Sequence, residues 1–287
     1  LIRQISARPQ VLALIALFCG TLSGVFLKCV VDAPHGETVT LRALTAFCCL
    51  GAVVVIWPRR GQVGVGWIGL LRAVMDAVAG LTFALAIFNL PLSLLASILA
   101  TLPIVSVTLS ALILSEPLRP RTLVALCLAL AGTVLILKPG LGFSALGITL
   151  ALVSTLTFAL RDVVTRRLPA GQDTRKVVLL ALGLVTLAAL TLVPAGDWMV
   201  PDRHDIVLIL LSGASFLCST LFIVLALRQA PVSKIAPLRY TSVFWALIFD
   251  AAIWGYVPGP YAWCGIVLIV IAGLLQQTQS PQTGART

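Results

Sequence analysis

Charge is what this chain has least of. Twenty Lys and Arg and ten Asp and Glu are spread over 287 residues, so only 10% are charged. An ordinary soluble domain carries about 25%, and that deficit excludes a water-facing surface over most of the chain. Histidine is nearly absent. His35 and His204 fall in short polar connections, and none of the seven cysteines forms a C-x-x-C pair. Those gaps exclude a zinc site and a disulfide framework, and the cysteines read as small buried hydrophobes. No Gly-rich phosphate loop with a lysine occurs, so an ATP-driven engine is excluded. Neither G-x-S-x-G nor H-E-x-x-H occurs. The shortage of acids leaves a net charge of +10 and a pI near 9.8. A nucleic-acid partner is not expected, because basic residues in the loops of a membrane protein are the usual topology signal.

What the chain has is apolar sequence. It is 60% hydrophobic, with a mean hydropathy of +1.09, too much for one globular core, so its solvent is lipid. Ten apolar runs, each near the roughly 20 residues that a membrane helix needs, are bounded by charge, Gly and Pro. They cover 10–31, 38–57, 67–88, 92–114, 121–138, 145–167, 175–194, 205–227, 231–254 and 260–277. The first is long enough to span and lacks an A-x-A cleavage pattern, so it is read as a helix rather than a signal peptide. The chain begins at Leu1, and a sequence trimmed at that end is expected. With the N-terminus in the cytoplasm, twelve Lys and Arg fall on inner loops and ends and three on outer connections, which predicts both termini inside. Trp57, Trp67, Trp198, Trp254 and Trp263 stand at predicted helix ends, as an interfacial belt does. Trp245 lies inside the ninth span.

The chain repeats itself at an offset of 140 residues. Pro91 matches Pro231, Ser93 matches Ser233, Ala96 matches Ala236, Thr101 matches Thr241 and Pro120 matches Pro260. Each half holds five spans, an odd number, so the second half crosses the membrane inverted with respect to the first. Inverted repeats are the architecture of secondary transporters, with the substrate site at the repeat interface near mid-bilayer. The expected fold is therefore an all-α polytopic membrane protein of ten helices. Its two inverted five-helix repeats are 1–140 and 141–278, followed by a polar cytoplasmic tail at 279–287.

Specific stretches carry a resemblance. The first half contains Ala86-Ile87-Phe88-Asn89-Leu90-Pro91-Leu92-Ser93, Ser115-Glu116-Pro117 and Gly132-Thr133-Val134-Leu135-Ile136. The second contains Ala226-Leu227-Arg228-Gln229-Ala230-Pro231-Val232-Ser233 and Ala236-Pro237-Leu238-Arg239-Tyr240-Thr241-Ser242. Over its whole length the chain resembles the EamA-type ten-helix members of the drug/metabolite transporter superfamily. The resemblance implies a carrier of small metabolites in the inner (cytoplasmic) membrane of a bacterium, often an exporter. Amino-acid exporters, including those for aromatic amino acids, belong to this group, and the Ala-Pro-Leu-Arg-Tyr-Thr stretch is similar to members proposed to carry S-adenosylmethionine. The family often places Gly-Glu at the end of the ninth helix; here Gly255-Tyr256 stands there, so no role attaches to such a glutamate.

Asp76, Arg239 and Asp250 are charges inside apolar spans and need a partner, a watery cavity or a task. Arg239 lies about 12 Å and Asp76 about 13 Å from the cytoplasmic ends of their spans at 1.5 Å per residue. At that matching depth they are expected to pair, either closing the inner half of a cavity or locking two helices statically. Arg239, Ser242 and Asp250 share a helical face. Thr101 shares a face with Ser97, and Thr241 with Trp245. These hydroxyls offer hydrogen bonds to a substrate while Tyr240 or Trp245 packs its side chain; the alternative is helix packing through small polar residues. Pro103 and Pro237 interrupt two spans, as hinges or as static kinks. Gly20 and Gly24 form a GxxxG that suits close packing within a monomer.

The sequence therefore predicts a transporter or facilitator, not an enzyme, with no metal and no cofactor. Its partners are a small-molecule substrate and the lipid bilayer, and a monomer is expected. Amino-acid export by alternating access leads. Uptake of another metabolite such as S-adenosylmethionine is the alternative, and an intramembrane lipid-modifying enzyme the reading from another class.

Overall fold

The computed structural model describes residues 9–31, 33–56, 64–114, 144–165, 167–169, 171–192, 198–229, 238–239 and 241–277, with scattered positions between 124 and 135. Regular structure among them is helical: α1 (Pro9–Cys29), α2 (His35–Ile56), α3 (Trp67–Asn89), α4 (Leu92–Leu99), α5 (Leu102–Leu114), α6 (Ala145–Thr165), α7 (Thr174–Leu190), α8 (Arg203–Gln229), α9 (Thr241–Trp254) and α10 (Pro260–Gln277). Without water to bond, a lipid-embedded backbone must satisfy its own polar groups, and the helix does so within one segment. Five helices, α1, α2, α3, α6 and α8, are long and apolar enough to cross a membrane. Most of the predicted span 121–138, the stretch 231–237 and the tail 279–287 lie outside the described residues.

The predicted span 92–114 is not one helix. α4 stops at Leu99 and α5 starts at Leu102. Pro103 lacks an N–H and cannot continue a helix past its own first turn, whereas in the first turn of a new helix that missing donor is harmless. The Thr101 hydroxyl closes the gap by donating to the Ile98 carbonyl at 2.7 Å. α9 starts at Thr241 after a 3₁₀ turn at Leu238 and Arg239, and the Thr241 hydroxyl donates to the Leu238 carbonyl at 2.6 Å.

Among the described residues, large apolar side chains face outward and polar side chains share the interior with apolar ones. On α6, Leu146, Leu152 and Leu156 are exposed, while Ser154, Thr155, Arg161 and Asp162 are buried. Helix-to-helix contact then cannot rest on hydrophobic exclusion, and small residues and hydroxyls take over. α1 packs on α8, α3 on α6, α2 on α7, α3 on α7, and α2 on α8. The α1–α8 seam is fastened by reciprocal bonds: Ser23 Oγ donates to the Ser212 carbonyl and Ser212 Oγ to the Ser23 carbonyl, both at 2.8 Å. Ser154 Oγ of α6 donates to the Ala79 carbonyl of α3 at 3.0 Å. Gly20 faces Ser219, and Gly24 faces Leu92 and Ile87, all within the chain.

Gly213 sets the closest approach of α2 and α8. A Cβ there would lie 2.7 Å from both the Arg42 carbonyl oxygen and Thr45 Cβ. Backbone cannot rotate away, so Gly213→Ala is expected to destabilise the fold by about 1–3 kcal/mol. Thermal denaturation of the detergent-solubilised protein checks this; an unchanged midpoint would mean that the two helices do not meet so closely.

Candidate functional site

Five ionised side chains alternate in sign through the bundle. On α3, Arg72 and Asp76 stand one turn apart, with Nη1 3.3 Å from Oδ2. On α6, Arg161 reaches Asp76 Oδ1 through Nη1 at 2.8 Å. Its other edge donates to Asp162 Oδ1, from Nη2 at 2.8 Å and from Nε at 3.1 Å. Asp162 Oδ2 then accepts from Arg239 Nη2 at 2.9 Å. The order Arg72–Asp76–Arg161–Asp162–Arg239 gives three cations and two anions. Arg72 is anchored further by a bond from Nε to Thr165 Oγ1 at 3.1 Å, and the Arg161 guanidinium lies over the Phe158 ring at 4.6 Å. Such desolvated charges persist only when paired with good geometry.

The chain of charges borders a cavity of about 160 Å³. α1 contributes Gly20 and Thr21, α3 contributes Asp76, Gly80 and Phe83, and α4 contributes Ala96 and Leu99. The facing wall comes from Phe158 and Arg161 of α6, Phe216 and Thr220 of α8, and Arg239 with Ser242. Arg42 of α2 also lines it. Arg42 is only 3% exposed. Its Nε donates to Ser23 Oγ at 3.2 Å, and its plane lies 4.2 Å from the Phe216 ring centroid. Apolar walls with a few convergent polar groups are the usual make-up of a small-molecule site.

The residues singled out from sequence are distributed unevenly around this cavity. Asp76, Arg239 and Ser242 line it. Asp76 and Arg239 do not pair directly, contrary to expectation; Arg161 and Asp162 stand between them. Ser97 is buried and donates to the Ser93 carbonyl at 2.7 Å. Thr101 and Thr241 each bond the carbonyl three residues back, of Ile98 and of Leu238. Trp245 meets Phe18 edge-on at 5.1 Å. Tyr240 and Pro237 lie outside the described residues. Asp250 does not share the cavity with Arg239 and Ser242. Fully buried, it accepts the backbone N–H of Leu92 at 3.2 Å and of Ser93 at 2.6 Å, with Lys28 Nζ 3.9 Å away. It therefore caps α4 from α9, at the helix N-terminus where a carboxylate is favoured.

Arg42, Arg72, Arg161 and Asp162 escaped the sequence reading. Arg72 and Asp76 do carry a signal, since their spacing of four puts them on one helix face. Arg161 and Asp162 lie a few residues before Arg166 and Arg167, near the charged end of their span.

A sequence model described as the EamA-like transporter family matches residues 8–138 and again residues 145–276. The chain belongs to this family. Among its EamA-like relatives, an uncharacterised transporter of Helicobacter pylori is 28% identical over 275 residues, covering 91% of this chain and 92% of that protein. The pseudopaline exporter of Pseudomonas aeruginosa is 30% identical over 207 residues, covering 71% and 72%. The riboflavin transporter of Rhizobium johnstonii is 25% identical over 211 residues, covering 72% and 69%. A solved crystal structure shares the fold with a TM-score of 0.70 at 16% identity, covering 95% of this chain and 99% of the other. The EamA-like chain is thus a multi-pass membrane protein of a transporter family, and its relatives bear the names of transporters rather than enzymes.

Proposed function

We propose that this chain is a secondary carrier of small organic metabolites, amino acids foremost, working by alternating access about the charged cavity. One observation carries the reading: the cavity is lined by residues that correspond across the 140-residue repeat. Thr21 and Arg161 both line it, as do Asp76 and Phe216, and Gly80 and Thr220. So do Phe83 and Ile223, Leu99 and Arg239, and Leu102 and Ser242. Residues equivalent in two inverted repeats converge on one void only where that void straddles the axis relating them, which is where such carriers bind substrate.

The packing supports the same symmetry. Exchanging the halves turns the α1–α8 contact into α6–α3 and the α2–α8 contact into α7–α3, and all four exist. The hydroxyl bonds of Thr101 and Thr241 are equivalents too. We read 1–140 and 141–278 as the inverted halves, with both termini cytoplasmic in the inner membrane and a monomer as the working unit. In that orientation the Arg161 cluster closes the cytoplasmic side and Asp250 with Lys28 closes the outer side. The break at Ala100–Thr101 and the 3₁₀ turn before Thr241 serve as hinges.

Export of amino acids is the preferred direction and substrate. S-adenosylmethionine uptake is the second reading, on the likeness of the Ala236 to Thr241 stretch noted above. Proteoliposomes containing the purified chain, offered labelled Phe, Met, Thr and Lys with S-adenosylmethionine in parallel, test the proposal. Saturable, protein-dependent flux of an amino acid is expected. Flux of S-adenosylmethionine alone would move the substrate to the second reading, and no flux of any of them would remove the amino-acid assignment.

A further inference from the structure

The cavity is not electrically balanced. The connected cluster has three guanidiniums against two carboxylates. Arg42 adds another cation, and among the described residues no carboxylate meets it. Its one hydrogen bond goes to a neutral hydroxyl, and its other contact is the face of Phe216. An arginine presents five N–H donors in a planar fork, and here Nη1 and Nη2 have no protein acceptor among the described residues. Among the described residues, three cations, Arg42, Arg161 and Arg239, line the cavity with a single anion, Asp76. Asp76 is already held by Arg161 at 2.8 Å and Arg72 at 3.3 Å. A buried cation without a counter-ion is expensive, and one that lines a cavity marks a ligand site by default.

We propose that Arg42 is the carboxylate anchor of the transported substrate, and that the site selects on the acid group and not on the amine. This rests on the carrier reading and narrows it. The planar fork of Arg42 matches a carboxylate bidentately. Phe216 beneath the guanidinium holds that fork flat toward the void and stabilises the cation while the site is empty. The rings of Phe83 and Phe158 supply an apolar wall for the remainder of the ligand. A substrate ammonium finds no comparable partner among the described residues: Asp76 gives Oδ1 to Arg161, and its Oδ2, ion-paired with Arg72 but without a hydrogen bond, is sealed from the void. The substrate class that fits is a small carboxylic acid with an apolar or aromatic body. Amino acids qualify through their carboxylate, and the amine contributes nothing to recognition.

The test compares two truncations of phenylalanine as competitors of labelled phenylalanine uptake into proteoliposomes. 3-Phenylpropionate keeps the carboxylate and lacks the amine; phenethylamine keeps the amine and lacks the carboxylate. The expected result is at least a tenfold lower inhibitory concentration for phenylpropionate. Arg42→Gln should erase that preference, while Arg42→Lys retains it in weakened form. Equal or stronger inhibition by phenethylamine in the unmodified protein overturns the proposal, as does an Arg42→Gln variant that folds and keeps the preference. Thermal denaturation of the solubilised protein separates this proposal from the carrier reading. A melting temperature raised by phenylpropionate but not by phenethylamine supports the anchor even where no flux is found. A folded unmodified protein that neither ligand stabilises, together with no competition, overturns it.

Discussion

Arg161→Gln is expected to be the most damaging single substitution in the chain. Arg161 joins two carboxylates that are themselves almost fully buried: Asp76 is 7% exposed and Asp162 is 4% exposed. Without it, the Asp76–Asp162 link is cut, and each acid keeps one guanidinium where it had two. Removing one partner of a buried ion pair costs about 3–5 kcal/mol, and here the bonds to two buried carboxylates are lost together, although each keeps one counter-ion. The replacing glutamine still offers one neutral hydrogen bond, so a loss near the lower end of that range is the expectation. Thermal denaturation in detergent reads it directly. Adding Asp162→Asn to Arg161→Gln should deepen the loss, since it strands Arg239, whose carboxylate partner is Asp162. A single variant within about 1 kcal/mol of the unmodified protein would mean that the five-residue chain of charges does not hold α3 and α6 together.

The second large effect is expected at Asp250. This carboxylate satisfies the first two N–H groups of α4 across a helix boundary, and α4 is the short segment that stops at the break before Pro103. Asp250→Ala leaves two buried donors unpaired, at roughly 1–3 kcal/mol each. Relaxation of Leu92 and Ser93 toward water should bring the total to about 2–4 kcal/mol. Asp250→Asn keeps one acceptor oxygen and loses the charge that favours the helix N-terminus, so it should cost less than half as much. Under the proposed orientation both changes loosen the outer closure. Transport rate and stability would then separate: Asp250→Asn should raise access to the cavity from outside while remaining folded. If Asp250→Ala is as stable as the unmodified protein, the cap does not secure α4.

The spans were legible because lipid leaves few choices. Within the described residues the apolar runs are helical, as lipid requires, and α3 and α10 begin and end within a residue of the predicted limits. Pro103 announced a disturbance in the fourth span, although not that the helix would stop before it and restart. The site was legible only in part. Asp76 and Arg239 stood out as isolated charges in apolar surroundings. Which charge meets which depends on how α3, α6 and the turn before α9 are rotated against one another, and that is a tertiary outcome. Arg161 and Asp162 were hidden by the basic loop that follows them. Arg42, within the first turns of α2, carries no spacing signal of its own. Asp250 was correctly marked as costly, but its partners are backbone groups, which no side-chain pattern can reveal. The 140-residue repeat carried the strongest long-range information, because matched residues such as Thr101 and Thr241 make the same bond in each half.

If the protein works as proposed, one cavity between the two halves serves both sides of the membrane. A single cysteine in place of Thr220, with the seven native cysteines replaced, tests this most directly. Thr220 lines the cavity and is repeat-matched to Gly80, which lines it too. A membrane-impermeant thiol reagent would be applied to inverted and to right-side-out vesicles, with and without substrate. Labelling from each side, with protection by substrate in both, is the expected result. Labelling from one side only, unaltered by any substrate, would contradict a shared cavity.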